Sequence, residues 1–470
     1  MGQINTILLN LNNFLYENIL IALLIGTGLY FTIRTRFVQI RMIPEACKLI
    51  YEKSSNENGV SSFQALMIST ASRVGTANIA GVATALATGG AGAIFWMWIS
   101  AIIGSASAFI ESTLAQVYKS KDESSYRGGP SYYIEKALNL RWLGIVFAIL
   151  LIACFTIGFN ALQSYNVSSA FLRYAVTDQQ SKWIPFLVGA GLAILTGVTV
   201  FGGNKRIGQI TSVLVPIMAI LYILLGIYVT LRNITMLPDI FLQIMEGAFD
   251  WRAVGGGMAG ASIMHGVKRG LFSNEAGMGS APNASATADV THPAKQGLVQ
   301  MISVYIDTLI ICTTTAMMLL VNGIPKDLTG MAYVQTAIHA QVGNLGVHFI
   351  TVAILLFGFS SLVGNYSYAE ANLKFITNKK AIVTIFRLLC LVPIFLGAQA
   401  SFSTVWDLAD VLMGFLAIVN IIAILLLGNV AIRTLKDYTI QKIAKKDPIF
   451  QPSKLGICNA DCWEDANDHE

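Results

Sequence analysis

The sequence predicts an all-α membrane protein of about eleven transmembrane helices: one leading helix, then two inverted halves of five. Three observations predict it. The 470 residues are 54% hydrophobic and only 12% charged, about half the charged share of an ordinary soluble domain. Apolar runs of about 20 residues, the length one crossing needs, recur from end to end. Two of those runs are interrupted by glycines and polar residues, and they are the first and sixth of the ten crossings after the leading one. Interrupted segments at matching places in two halves point to an inverted repeat around a central site. Five crossings per half is an odd number, so the second half must enter the membrane from the opposite side.

The elements follow in order. The first run, 15–33, lacks a basic leader and a small-residue cleavage site, so it reads as a retained helix. Arg34, Arg36, Arg41, Lys48 and Lys53 follow it and place that end in the cytoplasm, leaving the N-terminus outside. The interrupted run 63–86 climbs outward, and 91–118 returns to Lys119, Lys121, Arg127, Lys136 and Arg141. Residues 143–171 go out, 183–201 come back to Lys205 and Arg206, and 210–231 go out again. The stretch 253–290 is the second interrupted helix, with Gly255, Gly256, Gly257, Gly260, Gly266, Gly270, Gly277 and Gly279 and an opening expected near 270–276. Residues 297–321 cross outward, and an external loop at 322–344 is expected to hold a short helix. Residues 348–373 return to Lys374, Lys379 and Lys380, 382–396 go out and 405–427 come back. Arg433, Lys436, Lys442, Lys445 and Lys446 put the tail in the cytoplasm. The resulting division is 1–60 for the extra helix and its cytoplasmic segment, 61–232 and 233–430 for the two halves, and 431–470 for the tail.

The net charge of +5 needs no nucleic acid to explain it, because each basic cluster caps an apolar run on one side. The expected surroundings are the lipid of the inner or plasma membrane; the oligomeric state is left open. Cys154, Cys312 and Cys390 lie within apolar runs and read as buried small residues. Cys458 and Cys462 share the polar tail, where a spacing of four is weak support for a metal or a disulfide.

Polar residues at membrane depth are costly unless they face protein, a ligand or water. The first interruption holds Ser72, Arg73, Gly75, Thr76 and Asn78. An opened helix bares N–H groups at one half-helix end and carbonyls at the other. The first suit a carboxylate and the second a dehydrated Na⁺. Gly75, Thr76 and Asn78 would then offer an N–H, a hydroxyl and an amide to a zwitterionic amino acid; the plainer reading is that the glycines only allow close packing. Gln163, in the polar stretch 158–166, is either a substrate contact or an interhelical hydrogen bond. The adjacent hydroxyls of Ser360 and Ser361 either bond back to their own helix or join carbonyls of the first opening around Na⁺. Asp307 is an intramembrane carboxylate with Arg73, Lys268 and Arg269 as candidate partners. Ion pair, cation ligand and proton carrier all stay open for it, and Glu111 reads the same way. His265 is a proton relay or a hydrogen-bonded core residue. There is no Gly-Lys-Ser/Thr phosphate loop and no hydrolytic or redox constellation. An enzyme is not indicated, and no cofactor is expected besides Na⁺ as coupling ion.

These motifs carry a resemblance. Gly89-Gly90-Ala91-Gly92-Ala93-Ile94-Phe95-Trp96-Met97-Trp98-Ile99 resembles the signature of the alanine or glycine:cation symporter family. Val74-Gly75-Thr76-Ala77-Asn78-Ile79-Ala80-Gly81-Val82 resembles its first broken helix. Arg269-Gly270-Leu271-Phe272-Ser273-Asn274-Glu275-Ala276-Gly277 resembles its second. The resemblance implies a leucine-transporter-like fold and Na⁺-coupled, sometimes H⁺-coupled, uptake of small neutral amino acids by alternating access. It implies substrate contacts at Phe272, Ser273 and Asn274. It also implies a sodium site of the Ala71, Val74 and Phe357 carbonyls with the Ser360 and Ser361 hydroxyls. Asn78 would serve a second cation site beside the substrate, with Asp307 as its candidate carboxylate. Two positions depart from the family: Ala77 where glycine is usual, and Asn365 where tryptophan is usual. If that tryptophan walls the pocket, Asn365 enlarges it and adds a donor and an acceptor, and glutamine or asparagine becomes the expected substrate. The alternative is that Asn365 faces away. Two other functions stay open: a proton-coupled carrier using Asp307 or His265, and a non-transporting amino-acid sensor.

Overall fold

The structure is a computed structural model and describes residues 2–54, 59–122, 126–249 and 258–463. Among these residues nine helices are long and apolar enough to cross a membrane. They are α1 (2–34), α5 (Gly92–Val117), α7 (Arg141–Leu172), α8 (Asp178–Val200), α9 (Gly203–Arg232), α13 (Pro293–Leu320), α15 (Asn344–Ile376), α16 (Lys380–Gly397) and α17 (Phe402–Ile443). The two interrupted helices complete the set. The first is α3 (Ser62–Arg73) with α4 (Ala80–Gly89), and the second is α11 (Met258–Asn274) with α12 (Ala281–Ser285). The remaining α-helices longer than one turn are α2 (Ile43–Ile50), α6 (Pro130–Leu138), α10 (Leu237–Ala248) and α14 (Gly330–Val342). A two-stranded hairpin, β1 (Ser120–Lys121) and β2 (Tyr126–Arg127), precedes α6. Gly255, Gly256 and Gly257 of the second glycine-rich stretch lie outside the described residues.

The first interruption has a local cause. Helix α3 starts on a capping box, in which the Ser61 hydroxyl accepts from the Gln64 N–H and the Gln64 side chain accepts from the Ser61 N–H. It ends where Val74 turns to ψ 82° and Gly75 extends to φ −127°, ψ −153°. A short 3₁₀ turn, Thr76–Asn78, leads into α4. Any residue could adopt the Gly75 backbone, so the glycine serves close approach. A Cβ there would stand 2.3 Å from the Ser361 Oγ and 2.9 Å from the Gln163 Nε2. Ala77 has no left-handed backbone, so alanine replaces the usual glycine there without backbone strain.

The second opening differs from expectation. Helix α11 runs unbroken through Gly270 to Asn274, and the chain opens later, across 275–280. Glu275, Gly277 and Gly279 there have φ of +55°, +83° and +87°, and left-handed backbone is what ends the helix. Gly270 lies in the helix and lets α11 press on α5, where a Cβ would meet the Ser100 Oγ at 2.2 Å. The two interrupted helices lie head to tail: α11 packs against α4, and α12 against α3.

Other bounds also shift. Helix α1 begins at Gly2 rather than near Leu15, because its polar residues find partners on α17. Asn12 donates to Asp407 at 2.9 Å and Asn5 accepts from Thr404 at 3.1 Å. Helix α17 has 42 residues, about 63 Å at 1.5 Å per residue, so it continues well past a hydrocarbon core of about 30 Å. The expected short helix between crossings is α14.

Candidate functional site

The two openings meet. The Asn78 carboxamide donates to the Ser273 hydroxyl (3.0 Å) at the end of α11 and to one Asp307 oxygen (2.7 Å). Ser273 and Thr308 donate to the other Asp307 oxygen at 2.5 and 2.9 Å. Asp307 stands in a wide π-helical turn of α13, Tyr305–Cys312, a deformation frequent at functional sites. A carboxylate, a carboxamide and two hydroxyls thus converge out of reach of solvent. Among the described residues no cationic side chain bonds to Asp307, which corrects the partners read from sequence. Arg73 donates instead to Ser303. Lys268 and Arg269 both close on Asp410, at 2.7 and 2.6 Å. His265 packs beside Gly89, and its Nδ1 has no partner among the described residues.

Side-chain amides hold the bared N–H groups of the first opening. The Gly75 N–H donates to the Asn78 Oδ1 and the Thr76 N–H to the Gln163 Oε1, each at 3.0 Å. Asn166 donates to the Thr76 hydroxyl at 2.8 Å. On the other flank, the Ser361 hydroxyl reaches the carbonyls of Ala71 (3.0 Å) and Ser72 (3.2 Å). Ser360 bonds back to the Phe357 carbonyl at 3.0 Å. Val74 closes α3, its N–H donating to the Thr70 carbonyl at 2.7 Å.

Asn365 faces this centre. It accepts from the Ser72 hydroxyl at 2.8 Å and donates to the Asn160 Oδ1 at 3.0 Å. The Asn160 Nδ2, also buried, has no partner among the described residues. Phe272 stacks edge-on to Phe159 with ring centres 4.8 Å apart, and Trp406 lies 5.5 Å from it on the other side. Asn274 donates to Thr308 at 3.3 Å and accepts from the Ala276 N–H at 3.0 Å, closing the start of the second opening.

Glu111, read from the sequence as an intramembrane carboxylate, gains its partners only in the fold, while Glu275, Asp410 and Asn160 escaped sequence reading. Glu111 on α5 accepts the N–H groups of Gly277 (3.2 Å) and Gly279 (3.1 Å) and the Asn420 amide (2.7 Å), so it holds the second opening in shape. Glu275 accepts from Ser280 at 2.5 Å and from Ser72 at 3.4 Å, joining the two openings. Asp410 and Asn160 belong here too. Only their polarity in apolar runs could have flagged them, since their partners are remote in sequence.

A sequence model of the Sodium:alanine symporter family matches residues 1–452. The chain belongs to the sodium:alanine symporter family. The symporter is 47% identical over 457 residues to the probable sodium/glutamine symporter GlnT of Bacillus subtilis, covering 96% of this chain and 94% of that one. It is 38% identical over 452 residues to the sodium/alanine symporter AgcS of Methanococcus maripaludis, covering 93% and 97%. Its fold is similar to that of MhsT, whose crystal structure holds L-phenylalanine, with a TM-score of 0.54 at 14% identity over 81% of this chain and 99% of that chain. The symporter is therefore an integral membrane transporter with a leucine-transporter-like fold, and not an enzyme.

Proposed function

We propose that this symporter takes up a small neutral amino acid with Na⁺ by alternating access, and that glutamine or asparagine is preferred to alanine. The observation that carries the reading is the meeting of the two openings at Asn78, Ser273 and Asp307. The substrate carboxylate takes the N–H groups of Gly75 and Thr76 from the amides of Asn78 and Gln163, helped by the positive end of α4. Phe272, Ser273 and Asn274 face the rest of the substrate. One Na⁺ is held by the carbonyls of Ala71, Val74 and Phe357 and the hydroxyls of Ser360 and Ser361, which replace its water shell. A second cation, Na⁺ or H⁺, belongs at Asn78 and Asp307. Substrate and ion share one site, so each raises the other's affinity by the same factor.

The unpartnered Asn160 Nδ2 beside Asn365 supports the glutamine preference. A buried donor without an acceptor costs about 1–3 kcal/mol, and a substrate carboxamide oxygen would relieve it. The name of the Bacillus subtilis relative, a probable sodium/glutamine symporter, agrees with this. The halves are 61–232 and 233–430, the N-terminus lies outside, and the tail lies in the cytoplasm. Uptake of radiolabelled glutamine, asparagine, alanine and glycine into proteoliposomes, with and without a Na⁺ gradient, tests the reading. Strict alanine and glycine uptake would defeat the glutamine assignment. Uptake driven by a pH gradient alone would defeat the Na⁺ assignment.

A further inference from the structure

The segment after α17 folds back under the mouth of the transporter. Asp447 meets Lys295 at 3.0 Å, at the start of α13. The Phe450 N–H donates to the Thr291 carbonyl at 3.0 Å, and Thr291 returns a hydroxyl bond to the Pro448 carbonyl at 2.8 Å. Phe450 stands between His292 and Trp463, with ring centres 5.5 and 5.2 Å away. Trp463 packs on Ala65, Ala288 and Val290. Ala65 belongs to α3, and the other two residues follow α12. One side chain of the tail therefore bridges the tail-side half of the first interrupted helix and the residues that follow the second.

The tail also holds the neighbouring elements. The Trp463 indole donates to the Gln116 carbonyl at the end of α5 (3.0 Å), and the Cys462 thiol to the Lys119 carbonyl (3.3 Å). Asp461 pairs with Lys136 on α6 at 2.9 Å, and Asn459 donates to the Lys136 carbonyl at 2.7 Å. The Lys119 ammonium lies 4.0 Å from the centre of the Tyr126 ring and 4.5 Å from that of Trp463, a cation between two aromatic faces. Residues 453–463 lie beyond the part of the chain that the family model matches.

We propose that residues 447–463 form a latch on the tail-side gate. Opening a path to that side requires α3 to move away from α12, against which it packs. Trp463 fastens α3 to the residues after α12, while Asp461 and Asn459 fasten the same segment to α6. The latch must therefore release once in every transport cycle, and its strength sets how often the gate opens without cargo. This rests on the alternating-access reading of the previous section.

The test places spin labels at Phe63 on α3 and at Lys379 just before α16, with Cys47, Cys458 and Cys462 replaced by serine, which at position 462 keeps a donor for the Lys119 carbonyl. A distance change between Na⁺-free protein and protein with Na⁺ and amino acid tests alternating access by itself. The latch is tested by Trp463→Ala against Trp463→Phe. Trp463→Ala is expected to raise the long-distance population several-fold in Na⁺-free protein and to raise Na⁺-independent exchange of amino acid to the same extent, while Trp463→Phe stays near wild type. A paired Asn459→Ala, Asp461→Asn variant, which removes only surface contacts, is expected to move both readouts the same way and guards against a folding defect. Unchanged distances and exchange in that pair and in monodisperse Trp463→Ala protein would overturn the proposal and leave the segment a passive patch.

Discussion

Asn365 shows how much one side chain can decide. It is fully buried and bonded to both Ser72 and Asn160, so it belongs to the centre and not to a lipid-facing surface. Asn365→Trp puts a larger apolar ring in its place and removes the amide that donates to the Asn160 Oδ1. Glutamine uptake should then fall at least about tenfold relative to alanine, or about 1.4 kcal/mol; competition uptake assays measure it. Lys119 is the second residue with a sharp consequence. Burial pushes its ammonium down from 10.5 to about 8, against the opposing pull of Cys462 and Asp289; Tyr126 and Trp463 face it across the ring contacts. With the latch open Trp463 no longer covers Lys119, so its ammonium moves back toward 10.5 and the open form binds more protons above about pH 8. The closed form must gain ground as pH rises through that window and be indifferent below it. The long-distance spin-label population should fall over that range in wild type and stay flat in Lys119→Met.

At the scale of elements, the two openings are made differently. The first uses an extended Gly75 for contact, and the second uses left-handed Glu275, Gly277 and Gly279. Gly279→Ala should therefore fail on two counts. The backbone at φ +87° strains any side chain, and a Cβ would lie 2.7 Å from Pro130, 2.8 Å from Asn420 and 2.9 Å from Phe147. A loss of about 1–3 kcal/mol from strain alone is expected, visible as a lower unfolding temperature in detergent. The crossings, their order and both interruptions were legible in the sequence, because apolar length and glycine placement are local signals. The register of the second opening was not. Gly270 and Gly277 look alike in sequence, and only packing against Ser100 separates a contact glycine from a turn glycine. The start of α1 was hidden for a similar reason, since Asn5 and Asn12 read as loop residues until α17 supplies their partners. Asp307 reads as a buried carboxylate in the sequence, but besides its neighbour Thr308 its partners come from two remote segments, at Asn78 and Ser273, and no sequence spacing encodes that.

Across the whole molecule, contacts of different character lie on either side of the centre. At the end opposite the tail, Lys268 and Arg269 share Asp410, and Arg269 also lies 4.3 Å over the Trp406 ring. Lys268 bonds Asn12 of α1 at 2.9 Å, and the Tyr16 hydroxyl reaches the Asp410 carbonyl at 3.2 Å, so the leading helix takes part in closing this end. Asp410→Asn leaves two buried cations without their counter-charge, a cost of about 3–5 kcal/mol. It should lower the unfolding temperature and raise KM for the amino acid more than it lowers kcat. Both ends flank the same centre, to which the proposed function assigns substrate and ion together. The direct test is equilibrium binding of radiolabelled glutamine to purified protein across a Na⁺ titration, repeated with Ser361→Ala. Saturating Na⁺ should tighten glutamine binding at least about tenfold, and Ser361→Ala should shift the Na⁺ midpoint upward by a similar factor, about 1.4 kcal/mol. Glutamine affinity independent of Na⁺ would contradict the account.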